Sequence, residues 1–218
     1  GAASAVNGVA YAHLERAPLL LICDAREIEQ RLPPHQEFDL KAMFRPITKA
    51  CMRITPENGA QKFMELAALV RQSPEGPALI ELSAGDAARN ASSDAVLPKK
   101  TQIIDRDQSV AKTAFELLAQ CKRPILLVGL QAARYSSGNQ LVRLGERLGC
   151  PIMTTYKAKG VIPDSHPLVI GHLTGAAGEA AAIRSADLII WAGIEPVELI
   201  PVPWQPKAPL LALSDRPG

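Results

Sequence analysis

RPILLVGLQAARYSSGNQLVRLGERLGCPIMTTYKAKGVIPDSHP, residues Arg123 to Pro167, decides the fold. Ile125 to Val128 is an unbroken apolar run entered from Pro124 and closed by Gly129. Leu141, Leu144 and Leu148 follow at the spacing of one helix face, and Ile152 to Thr155 forms a second short run behind Pro151. A run of four apolar residues is too short for a buried helix and the right length for a buried strand. The stretch therefore reads as strand, glycine turn, amphipathic helix, strand, and then a Lys157-Ala158-Lys159-Gly160 loop that closes on Pro167.

The same alternation extends in both directions. Further apolar runs are Leu19 to Cys23, Ala78 to Leu82, Leu188 to Ala192 and Leu210 to Leu213, which brings the predicted strands to six. Five of the six follow a proline directly: Pro18, Pro77, Pro124, Pro151 and Pro209. Proline is tolerated at the first residue of a strand, where its missing N–H costs no ladder bond. Continuously apolar strands are those covered by helices on both faces. Helical spacing joins Ala2, Ala5, Val6, Val9, Ala10 and His13, then Ala60, Phe63, Met64, Ala67 and Ala68, then Val110, Ala114, Leu117, Leu118 and Cys121. Strands alternating with helices predict an α/β fold of parallel sheets with right-handed crossovers.

Residues 84 to 108 interrupt this rhythm with small, polar and charged side chains and no periodic face. A stretch of that length inside one domain is uncommon, so it marks a division. The expected organisation is an N-terminal unit over 1–95, a linker over 96–108 and a second unit over 109–218.

Composition narrows the function classes. Of 218 residues 47% are apolar, enough for a core, and the net charge of +2 implies no strong field for nucleic acid or a membrane surface. Aromatic residues make up 4%, which leaves no stacking platform for single strands. No apolar run approaches the length of a membrane span. Cys23, Cys51, Cys121 and Cys150 lie far apart with no CxxC spacing, so a zinc site is not expected; a reducing, cytoplasmic compartment fits them. None of His13, His35, His166 and His172 has a carboxylate or thiol at ligand-like spacing, and no metal ligand is assigned. No GxSxG elbow is present.

Three segments carry a family likeness. Thr154-Thr155, Lys157 to Gly160 and Pro163 to Pro167 resemble the central domain of thiamine-diphosphate enzymes of the acetolactate synthase and 2-oxoacid decarboxylase group. In those proteins a strand ending in Thr-Thr runs into a Lys-Gly loop and a Pro-x-x-His-Pro segment. Residues 1–22 look like the helix and strand after the Gly-Pro-Gly-Ala turn of that family's pyrimidine-binding domain, with Ser4 where asparagine is usual. His35 to Lys49 is similar to its Gln-Glu-x-Asp…Arg-Pro-x-Thr-Lys stretch, while Cys23-Asp24 replace a common Gly-Gln.

The resemblance implies a Rossmann-like central domain of the sirtuin and deoxyhypusine-synthase type, preceded by part of a pyrimidine-binding domain. It implies a parent enzyme that uses thiamine diphosphate and Mg2+ to cleave or form C–C bonds of a 2-oxoacid or related acyl donor, as a homo-oligomer. Gln36, at the place of the glutamine that faces thiazolium and substrate, is the expected catalytic-site residue. The activating glutamate is expected before Gly1 and the diphosphate–magnesium motif after Gly218, so that the segment alone is expected to be inactive. Gly85-Asp86-Ala87 echoes that motif but reads as a turn.

The alternative is a Rossmann-like regulatory module that binds a nucleotide, FAD or ADP, without catalysis. Gly129, Thr155, Gly160 and Gly193 are the positions from which such a ligand would be held. LVGLQAARYSSG is no GxGxxG, and Glu195 stands where flavin-binding members carry a cation. Asp215 could meet a ribose hydroxyl.

Overall fold

The computed structural model describes residues 1–26, 38–90, 108–135, 138–175, 177–199 and 207–214. The chain divides into two compact units, Gly1–Ile103 and Ile104–Gly218. The expected linker lies outside the described residues apart from Gln108, which begins a helix.

The first unit is built on a parallel sheet of β1 (Leu19–Asp24), β2 (Cys51–Arg53) and β3 (Pro77–Leu82), ordered β1-β3-β2. Around it lie α1 (Val6–Leu14), α2 (Leu40–Phe44), α3 (Gly59–Val70) and the single turn α4 (Ala84–Ala87). The central strand shows why the run from Ala78 carries no polar alternation. Leu79 packs with Val9, Cys23 and Phe44, whereas Ala78 and Ile80 pack with Ile54, Leu66 and Val70 on the opposite face. Successive side chains of one strand thus enter two separate cores. Asp39 starts α2 by accepting the Ala42 N–H at 2.9 Å, and Ser83 starts α4 by accepting that of Asp86 at 3.2 Å.

The second unit runs α5 (Gln108–Gln120), β4 (Pro124–Val128), α6 (Leu130–Tyr135), α7 (Gly138–Leu148), β5 (Ile152–Thr155), β6 (Val169–Leu173), α8 (Ala177–Ser185), β7 (Leu188–Ala192) and β8 (Leu210–Leu213). Its five strands are all parallel, in the order β6-β5-β4-β7-β8. Leu126, Val128, Ile152, Leu188 and Ile190 face one core with Leu141, while Ile125, Leu127, Met153 and Ile189 face the other with Ile183. Complete burial of each such side chain contributes roughly 1.5–3 kcal/mol. The fold class is the expected one: α/β, with parallel sheets flanked by helices and a Rossmann-like second unit.

Five of the eight described strands, β1, β3, β4, β5 and β8, begin at or directly after the five prolines. Two strands were not legible in the sequence. β2 has only three residues, and β6, Val-Ile-Gly-His-Leu, is interrupted by glycine and histidine. No helix among the described residues is long and apolar enough to cross a membrane.

Candidate functional site

In the second unit the chain leaves β4 toward β5 and β6 on one side, and reaches β7 and β8 on the other. The carboxyl ends of β4 and β7 therefore form the switch point of the sheet, the place where open α/β folds usually hold ligands. Here the two loops touch backbone to backbone. The Gly129 amide donates to the Ala192 carbonyl at 2.8 Å, and that of Gln131 to the Gly193 carbonyl at 2.8 Å. A methyl group on Gly129 would lie 2.3 Å from the Ile194 Cα, and one on Gly193, whose φ is +63°, 2.4 Å from the Ala132 nitrogen.

Two carboxylates bond to the residues just after β4, beside this contact. Glu195 caps and Glu198 closes a short 3-10 turn, Pro196–Glu198, and each is 1% exposed. The Leu130 N–H donates to both oxygens of Glu198, at 3.0 and 2.9 Å, and the Glu195 N–H donates to Glu198 Oε1 at 2.6 Å. The Thr155 hydroxyl donates to Glu198 Oε2 and accepts the Ala158 N–H at 3.2 Å. Gln131 Nε2 donates to Glu195 Oε1 at 2.8 Å, while Gln131 Oε1 accepts from the Ser214 hydroxyl at 3.3 Å. One polar network thus ties together the ends of β4, β5, β7 and β8. Burial pushes the Glu198 carboxyl above the usual carboxylate range; the N–H groups of Glu195 and Leu130 and the Thr155 hydroxyl oppose the rise, and the Glu195 charge adds to it.

The structure brings Gly129, Thr155 and Gly193 to this one place. Gly160 is not part of the network; it turns the following loop with φ +89° and has open space around it. Gln36, His35 and Asp215 lie outside the described residues. Glu198 and Gln131 were missed by sequence reasoning. The available signal was Glu195-Pro196-Val197-Glu198, two acidic residues bracketing a proline, which is the pattern of a capped turn.

The corresponding end of the first sheet carries Cys23 and Asp24 on β1, Arg53 on β2, and Ser83 with Asp86 after β3. The Ser83 hydroxyl donates to Asp86 Oδ2 at 2.9 Å, and Arg53 and Arg89 each approach the same carboxylate at 3.6 Å. Gly85-Asp86-Ala87 is accordingly a capped turn of α4. In the second unit His172 Nδ1 lies 2.7 Å from Thr154 Oγ1 with its Nε2 3.8 Å from Asp164, and His166 Nε2 lies 3.5 Å from Glu146. These carboxylates are distant in sequence from the histidines or placed by the loop, so spacing alone did not pair them. Among the described residues no three His, Cys, Asp or Glu side chains gather as a metal site.

Comparison with known proteins places this architecture. Residues 111–215 match the family model for the thiamine pyrophosphate enzyme, central domain. The acetolactate synthase large subunit of Corynebacterium glutamicum is 28% identical over 88% of this chain and 32% of its own length. Pyruvate decarboxylase of Neurospora crassa is 27% identical over 98% of this chain and 41% of its own. A solved structure described as a thiamin diphosphate-dependent enzyme from Mycobacterium smegmatis superposes with a TM-score of 0.82 at 25% identity, over 97% of this chain and 43% of that one. Residues 111–215 are thus similar to the central domain of thiamine-diphosphate enzymes, and the chain spans about a third to two fifths of the length of these relatives.

Proposed function

We propose that this chain is part of a thiamine-diphosphate- and Mg2+-dependent enzyme that cleaves or forms C–C bonds of 2-oxoacids or related acyl donors, in the manner of acetolactate synthase. One observation carries the reading: the similarity runs through both units, covering 88% of the chain in the acetolactate synthase of Corynebacterium glutamicum and in a 2-hydroxyacyl-CoA lyase of Oryza sativa. On this reading residues 1–95 are the later part of a pyrimidine-binding domain, residues 109–218 are the central domain, and the assembly is a homo-oligomer. Gln36 faces the substrate and positions its oxygen.

When bound, thiamine diphosphate supplies the carbanion chemistry; the protein's task is to orient it, hold its charge and move a proton. The described residues do not fit that task unaided. Asp86 is engaged by Ser83, Arg53 and Arg89, and the described residues hold no donor cluster for a divalent cation. General acid–base help is commonly worth about 100- to 10,000-fold in rate. The isolated chain is therefore expected to be inactive toward 2-oxoacids.

Calorimetry with thiamine diphosphate and Mg2+ tests this. No micromolar binding is expected for the 218-residue chain, and recovered binding for the full gene product; micromolar binding by the chain itself would overturn the reading. In the full gene product Gln36→Ala is expected to lower turnover by about 10- to 100-fold without unfolding it, as for a lost positioning contact.

A further inference from the structure

We propose that the switch-point crevice of the second unit carries its own anion, the Glu198 carboxylate, and is thereby closed to diphosphate-bearing nucleotides. A nucleotide at a switch point needs free main-chain amides and room for the pyrophosphate beside glycine backbone. Neither is available among the described residues. The Gly129 and Gln131 amides bond to the β7 end, and the intervening Leu130 amide is shared between the two oxygens of Glu198. The space that Gly129 leaves by lacking a side chain is filled by the Ile194 main chain, and that of Gly193 by Gln131 and Ala132.

Every polar atom that Glu198 meets in this network is a donor: two amides and the Thr155 hydroxyl. A side chain that brings donors of its own, such as an amide, has no acceptor to meet at that oxygen pair. Glu195, equally buried and held by Gln131, adds a second carboxylate beside the first. A diphosphate would have to displace one carboxylate and lie against the other, with like charges in a poorly screened site.

The test uses the 218-residue chain. ADP is followed by calorimetry and FAD by its fluorescence, and no binding up to millimolar ligand is expected. Glu198→Ala is expected to melt several degrees lower and to regain most of that loss in about 50 mM formate, which refills a carboxylate seat, but not in formamide; wild-type melting is expected to respond to neither. If Glu198→Ala does not fold, Glu198→Gln decides, because it keeps the volume and removes the charge: it is expected to melt several degrees below wild type at pH 7. Micromolar binding of ADP or FAD to the wild type, equal rescue by formate and formamide, or wild-type melting of Glu198→Gln would each overturn the proposal.

Discussion

Gly129 and Gly193 hold the ends of β4 and β7 together because neither has a side chain. At Gly129 a methyl group would overlap main-chain atoms that cannot move without shifting the strand. We expect Gly129→Ala to destabilise by about 1–3 kcal/mol or more. Gly193→Ala combines a comparable clash with a left-handed backbone, which adds roughly 1–2 kcal/mol. Gly8, within α1 and with nothing near its absent Cβ, gives the contrast: Gly8→Ala should stabilise by about 0.5–1 kcal/mol. Urea unfolding of the three variants checks the signs. Asp187 supplies a pH-dependent case. Its Oδ1 and Oδ2 accept the Arg123 and Lys122 N–H groups at 2.8 and 2.9 Å, which lowers its pKa. A lowered carboxylate stabilises fully above its unfolded value of about 3.9 and loses that contribution as pH falls through the lower folded value. Asp187→Ala should therefore be less stable than wild type at pH 7, with the gap closing in acid, as urea midpoints at several pH values would show.

Elements were legible in proportion to how far burial is written into consecutive residues. β3 and β4 show it most plainly, each a proline followed by residues that enter two cores in turn. Ile190 of β7 has no exposed surface, and Ile190→Ala should cost about 2–5 kcal/mol. Ile22 of the edge strand β1 is 55% exposed in spite of its apolar neighbours, and Ile22→Thr should change stability by no more than about 0.5 kcal/mol. Chemical denaturation of the pair distinguishes a strand's position in the sheet from its composition. Five apolar residues in a row look alike in a central and an edge strand, so the sequence could not rank the two. α6 escaped notice because its six residues are too few to show a period.

Across the whole molecule, Cys23 and Cys150 place one buried thiol in each unit. Burial pushes Cys150 up to about 11, and Cys23 also up, with the Glu81 charge adding to the rise at Cys23. Neither should react with iodoacetamide at pH 8 in the native protein, and each should become reactive when its own unit unfolds. Alkylation across a urea series, followed by peptide mapping, reads the two units separately. The same shift makes stability alkali-sensitive. The contribution of the Cys150 thiol is complete below the unfolded thiol value of about 8.5 and is lost as pH rises through about 11.

The sequence by itself determined the α/β class, the parallel strands entered through prolines, and the family likeness. Each rests on neighbouring residues: a run of apolar side chains, a helical period, a motif. Gly129, Thr155 and Gly193 could be singled out in the same way, because they end predicted strands. What occupies the space among them could not. Leu130 and Glu198 stand 68 residues apart, and Gln131 and Ser214 stand 83 apart. Only the strand order β6-β5-β4-β7-β8 brings them together. In the sequence Glu195 is only a carboxylate where flavin-binding members carry a cation; the tertiary structure makes it and Glu198 buried partners of the protein's own amides and side chains, because burial forces a carboxylate to find donors wherever the fold supplies them.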